Sequence, residues 1–185
     1  MIPVLSARTV SLVLTALVTL GAVRTATAQS APLDSPRLSL GISAGAPGAD
    51  TQVQLTLAGP RDMALRKIDA VVSFADGTLE FQKVAGYLLD SEILKVETRE
   101  EKPEGGQRKL LVTVTANSDK PLPLGALVSL HFKVTKETKL GVLDVKLAAK
   151  VLGLDSKEIT PVAVFGGRIN IQDPKIFFGC FFYMH

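Results

Sequence analysis

From Gly125 to Val134 the chain reads Gly-Ala-Leu-Val-Ser-Leu-His-Phe-Lys-Val. As an extended strand it puts Val128, Leu130, Phe132 and Val134 on one face and Ser129, His131 and Lys133 on the other. That period of two belongs to a sheet with one dry face and one wet face. The same code recurs along most of the chain. Ile68, Ala70, Val72 and Phe74 stand opposite Asp69, Val71 and Ser73. Val53, Leu55 and Leu57 alternate with Gln52, Gln54 and Thr56, and Leu110, Val112 and Val114 with Thr113 and Thr115. Leu143, Val145, Leu147, Ala149 and Val151 alternate with Asp144, Lys146, Ala148 and Lys150. Leu38, Leu40 and Ile42 predict a first strand, Leu79, Phe81 and Val84 a fourth extended stretch, and Ile169 and Ile171 a last strand.

Turn chemistry separates these runs, at Gly45–Asp50, at Asp76-Gly77 and across Asn117–Pro123. Leu88–Leu94 reads equally as a helical turn or as irregular chain. Glu97, Glu100, Glu101 and Glu104 surround Pro103 and Gly105-Gly106, which predicts a solvated hairpin tip. Roughly eight or nine short strands with regular turn signals predict an all-β, antiparallel two-sheet sandwich of jelly-roll or Greek-key type.

The N-terminus has a different logic. Arg8, the uncharged run Val10–Val23 and the small-residue site Ala26-Thr27-Ala28 form an export signal over residues 1–28. The apolar run is shorter than the roughly 20 residues of a membrane span, and Arg24 closes it, so a retained anchor is the lesser reading. A linker over 29–37, a β-domain over 38–173 and an aromatic tail over 174–185 follow. Removing Arg8 and Arg24 brings the mature chain close to neutrality, which argues against a nucleic-acid surface. The location expected is extracytoplasmic: secreted, periplasmic or at the cell surface. Cys180 is the single cysteine, so no intramolecular disulfide can form and packing must supply the stability.

No catalytic constellation accompanies the strands. His131 has neither a second histidine nor a cysteine beside it, and His185 ends the sequence. Gly-x-Ser-x-Gly does not occur. The glutamates near Gly105 lack the interleaved spacing of a calcium loop. The Gly-Gly pairs lack the helix that a phosphate loop requires. Nothing singles out two carboxylates for glycoside hydrolysis. The chain is expected to be no enzyme and to need no cofactor or metal.

Three segments carry a family resemblance. Phe74-Ala75-Asp76-Gly77-Thr78-Leu79, followed by Val84 and Gly86-Tyr87-Leu88-Leu89, is similar to the strand, turn and strand of a cohesin domain. Gly125–Val134, with Gly141 after it, resembles the Gly-x-Leu-x-x-Leu-x-Phe-Lys-Val stretch of the same family. Gly167-Arg168-Ile169-Asn170-Ile171 resembles its closing Gly-x-Ile-x-Ile strand, and Gly45–Asp50 sits where cohesins have Pro-Gly-Asp. The sequence departs from the pattern at Ala75, where the family usually has Asp, and at Asp76, where it often has Pro. The resemblance runs from about Leu38 to Ile171. It implies a nine-stranded jelly-roll sandwich, related to several carbohydrate-binding modules. It also implies a non-catalytic module that binds a dockerin-like partner, and because the length has room for one such domain where the family's scaffolds carry several, a stand-alone module is expected. Calcium would belong to the partner, and one sheet face, including the strand Lys67–Phe74, would make the contact.

Outward strand positions are the candidate contacts. They are Asp69, Val71 and Ser73, then Ser129, His131 and Lys133, with Asp144, Lys146 and Lys150 beside them. Any of these could equally be an ordinary wet face. Val71 stands out as an apolar side chain among polar neighbours. Direct polysaccharide binding, the alternative, needs flat exposed aromatics. Phe74 and Phe132 fall on dry faces, which leaves Tyr87 and Phe81. A structural role in a secretion or surface assembly is the remaining alternative. Phe177, Phe178, Phe181, Phe182 and Tyr183 crowd the tail, which could pack on the sandwich, seat in a partner or touch a membrane surface. An exposed Cys180 could link two copies.

Overall fold

A computed structural model describes residues 35–177. The export signal, most of the linker, Cys180 and the aromatic tail beyond Phe177 lie outside the described residues, as does the side chain of Tyr87.

The chain begins with β1 (Arg37–Leu40), β2 (Ile42–Gly45), β3 (Asp50–Ala58), β4 (Leu65–Ala75) and β5 (Leu79–Ala85). A single helical turn, α1 (Tyr87–Asp90), precedes β6 (Leu94–Glu100) and β7 (Gln107–Ala116). Then come β8 (Gly125–Val134), β9 (Gly141–Gly153), β10 (Ala163–Phe165), β11 (Gly167–Ile171) and α2 (Pro174–Phe177). One sheet runs β10-β1-β3-β8-β5 and the other β2-β11-β9-β4-β7-β6. Leu38, Leu55, Leu57, Leu130 and Phe132 from the first sheet and Ile68, Val72, Phe74, Leu110 and Ile169 from the second fill the space between. The rings of Phe74 and Phe132 meet edge to face across that space, 5.4 Å between centroids at 76°. Phe81 packs edge-on against the same Phe132 ring at 5.8 Å.

The nine-stranded, wholly antiparallel expectation is corrected. The described residues form 11 strands, and two of the strand pairs are parallel. The reason lies in two crossings. Leu38, Leu40 and Ile42 do not share one strand. The chain passes from one sheet to the other at Gly41, and Ile42 emerges 75 % exposed. The last strand does the same at Gly166, between β10 and β11. The two crossing segments run side by side, so β1 pairs with β10 and β2 with β11 in parallel. They touch where neither has a side chain. A β-carbon on Gly167 would lie 2.5 Å from the Gly41 carbonyl oxygen, and one on Gly166 2.6 Å from that of Val145.

Two local readings resolve. Leu88–Leu94 is the short helix α1 and the entry to β6. The glutamate-rich stretch is only partly a hairpin tip, since Glu97 and Glu100 lie on β6, paired with β7. The turn after Phe74 forms without the family's Asp-Pro pair. Gly77 adopts φ +76°, and the Thr78 hydroxyl donates to the Ala75 carbonyl at 2.6 Å. The Thr135 hydroxyl donates to the Gly77 carbonyl and the Thr138 hydroxyl to that of Thr78, which ties this turn to the end of β8. The Arg108 guanidinium holds the Asp76 carboxylate at 3.1 Å.

Gly167→Val should cost about 1–3 kcal/mol through forced backbone displacement, read by urea denaturation. An unchanged midpoint would show that the crossing has slack. Phe132→Ala should cost about 3–5 kcal/mol, because one ring serves both aromatic contacts.

Candidate docking face on the six-stranded sheet

β4 lies inside the six-stranded sheet, hydrogen-bonded to β7 on one side and β9 on the other. Its buried positions are Leu65, Ile68, Ala70, Val72 and Phe74, and Lys67, Asp69, Val71 and Ser73 project outward. The register aligns these with outward residues of the neighbours. Val71 pairs with Leu111 on β7 and Ala148 on β9. Asp69 pairs with Thr113 and Lys150, and Ser73 with Lys109 and Lys146. An apolar row, Ala148–Val71–Leu111, therefore crosses the middle of the face between two polar rows. None of the three packs against the core cluster.

The polar rows are partly tied down. The Thr113 hydroxyl donates to Asp69 Oδ1 at 2.7 Å, and Lys67 Nζ stands 2.9 Å from Asp69 Oδ2. Lys95 and Glu97 pair at 2.9 Å on β6, Lys109 meets Glu104 at 3.6 Å, and Arg168 meets Asp144 at 3.3 Å. Lys146 and Lys150 have no ion-pair partner among the described residues.

Ser129, His131 and Lys133 lie elsewhere. They project from β8 in the five-stranded sheet, so the structure places them on the opposite side of the sandwich from Asp69, Val71 and Ser73. Their aligned neighbours are Gln54, Gln52 and Asp50 on β3 and Ala85, Lys83 and Glu80 on β5. Among the described residues these aligned positions form no apolar row. The six candidate contacts fall into two sets of three on opposite sheets, and a single flat contact can use only one set. The alternation gives each side chain its face but not the sheet to which its strand belongs. Leu111 and Ala148 went unrecognised as neighbours of Val71 for the same reason: cross-strand register is not written in any one strand.

Phe81 is corrected as a sugar platform. It is half-buried against Phe132. Phe165, 55 % exposed on the short strand β10, is an exposed ring that the alternation did not single out. Among the described residues no three His, Cys, Asp or Glu side chains gather as a metal site would require. The carboxylates of Asp76 and Glu100 converge, but on the guanidinium of Arg108.

No family model and no curated protein matches the sequence. Solved structures do match the fold. The cohesin of the Coh-OlpA–Doc918 type I cohesin–dockerin complex of Clostridium thermocellum superposes with a TM-score of 0.60 at 17% identity. The match covers 75% of this chain and 100% of that one. The third ScaC cohesin of Acetivibrio cellulolyticus, solved with the ScaB dockerin, also gives 0.60 at 17% identity, over 74% and 98% of the two chains. A non-cellulosomal cohesin of the archaeon Archaeoglobus fulgidus gives 0.57 at 20% identity, over 80% and 99%.

The Lys95 ammonium donates a hydrogen bond to Glu97 and attracts it electrostatically, holding its carboxyl below the ordinary value near 4.5. The folded value being depressed, the pair's contribution is present above the unfolded value and fades as pH falls through the folded one. A carboxyl NMR titration should place Glu97 below 4.5, and Lys95→Met should move it upward. No movement would assign the shift to another source. Taken together, the strand order, the sheet pairing and these superpositions give the chain the cohesin fold.

Proposed function

We propose that this chain is an exported, non-catalytic binding module that holds a dockerin-like partner through the outer face of the six-stranded sheet. The observation that carries this reading is the row Ala148–Val71–Leu111, an apolar strip that is exposed at Ala148 and half-buried at Val71 and Leu111, between two polar rows. Ile68, Ala70, Val72 and Phe74 of the same strand are buried, and the exposed apolar Ile42 and Val142 lie on β2 and β9, toward the other edge of this sheet. Two of the solved relatives were captured as cohesin–dockerin complexes, which supports a protein rather than a small molecule as the occupant. Asp69, Val71 and Ser73 are then contact residues, with Leu111 and Ala148 beside them. Ser129, His131 and Lys133 belong to the far side. Calcium is carried by the partner. The export signal puts the encounter outside the cytoplasm, and polysaccharide breakdown is the setting proposed for it.

The test is a binding assay on the purified protein, with dockerin modules offered in calcium and again in chelator. Binding should require calcium. Val71→Arg should weaken it about 30-fold or more, the loss expected when a charge enters the centre of an apolar contact. His131→Ala should leave it within about twofold, as expected outside a contact. Equal losses from both variants would contradict the assignment of the face. Retention on insoluble polysaccharide, with no protein bound, would move the function to direct carbohydrate recognition.

A further inference from the structure

The chemistry of the partner's docking element can be read from the charges around the apolar row, granted that this face is the one that binds. Lys146 and Lys150 stand two residues to either side of Ala148 on β9, and all three project outward. Four residues of strand separate the two ammonium groups by about 13 Å at their bases. Between them lies the end of the row Ala148–Val71–Leu111, which spans three strands, or about 10 Å at the usual spacing. An α-helix is about 10 Å across, and its positions i, i+4 and i+7 span about 10 Å along the axis. A helix laid along the row fits its apolar ridge on the three side chains and passes between the two lysines.

Among the other cations of these strands, Arg66 also lacks a carboxylate partner among the described residues but lies at the bulged end of β4, outside the row, and Arg99, level with Leu111 on β6, meets Glu101 at 3.9 Å. Lys67, Lys95, Lys109 and Arg168 each already meet a carboxylate of this chain. Lys146 and Lys150 meet none among the described residues. A partner with cations beside its ridge would bring like charges together, and one with neutral flanks would leave both ammonium groups without a counter-charge. We infer that the docking element is an amphipathic helix whose apolar ridge is flanked on both sides by Asp or Glu, set to meet Lys146 on one flank and Lys150 on the other. Complementarity of this kind selects the partner and speeds its arrival more than it deepens the final affinity.

The experiment titrates the full chain with calcium-loaded dockerin modules whose helix faces are acidic or basic. The acidic-faced modules should bind at least tenfold tighter, with a lead that shrinks as salt rises. The double variant K146E/K150E should reverse the order, while its thermal unfolding stays that of the parent. Equal binding of the two classes, or a preference that survives the reversal, overturns the inference and leaves the dockerin reading standing. If no dockerin binds, that reading fails on its own. Two synthetic helical peptides then decide the inference, one Leu ridge flanked by Glu and the same ridge flanked by Lys. Preference of the parent for the first and of the double variant for the second supports it. Binding of neither at millimolar concentration overturns it.

Discussion

Gly167 passes so close to Gly41 that a single β-carbon would collide with its carbonyl oxygen. The rest of the architecture follows from that contact. Because two backbones can touch there, the first and last parts of the domain cross between the sheets together. Each sheet thereby gains one strand from either end of the domain, β10 and β1 in one, β2 and β11 in the other. The crossing strands close the sandwich along one side. The long strands β4, β7, β8 and β9 are then held face to face around Phe74 and Phe132. Removing space at the crossing therefore bears on sheets whose centres lie far from it, since a close-packed interior transmits strain.

Much of this could be read in the sequence, and the unreadable part has a physical cause. Alternation fixes which side chains of a strand are dry, and β8 and β11 emerge with the boundaries that their patterns suggest. What alternation lacks is any information between strands. Leu38, Leu40 and Ile42 alternate without a break, yet Gly41 turns the chain into the other sheet and leaves Ile42 in solvent. The two parallel pairs and the extra strands come from this one omission. Phe81 misleads for a related reason. Its strand is irregular, with a register shift between Phe81 and Lys83, and the ring turns toward Phe132.

The candidate site was legible to the same degree. Val71 announces itself as an apolar residue on a polar face. Its neighbours Leu111 and Ala148 do not, since one lies on β7 and the other on β9, distant in sequence and adjacent only through hydrogen-bond register. Nor could alternation tell that Asp69 and His131 face opposite ways through space. A protein-binding face built on the middle of a sheet has an advantage of its own. β4 is hydrogen-bonded to a neighbour on each side, so the surface is held in shape before a partner arrives, and little ordering cost remains for association. The ties from Lys67 and Thr113 to Asp69 extend that rigidity to the side chains.

The central claim is that the outer face of the six-stranded sheet is the surface that meets a partner. Backbone amide shift mapping of the full chain during titration with a calcium-loaded dockerin module tests it most directly. The account predicts perturbations centred on Val71, Leu111 and Ala148 and spreading over β4, β7 and β9. Perturbations centred on Gln52, His131 and Lys83, across the five-stranded sheet, would contradict it.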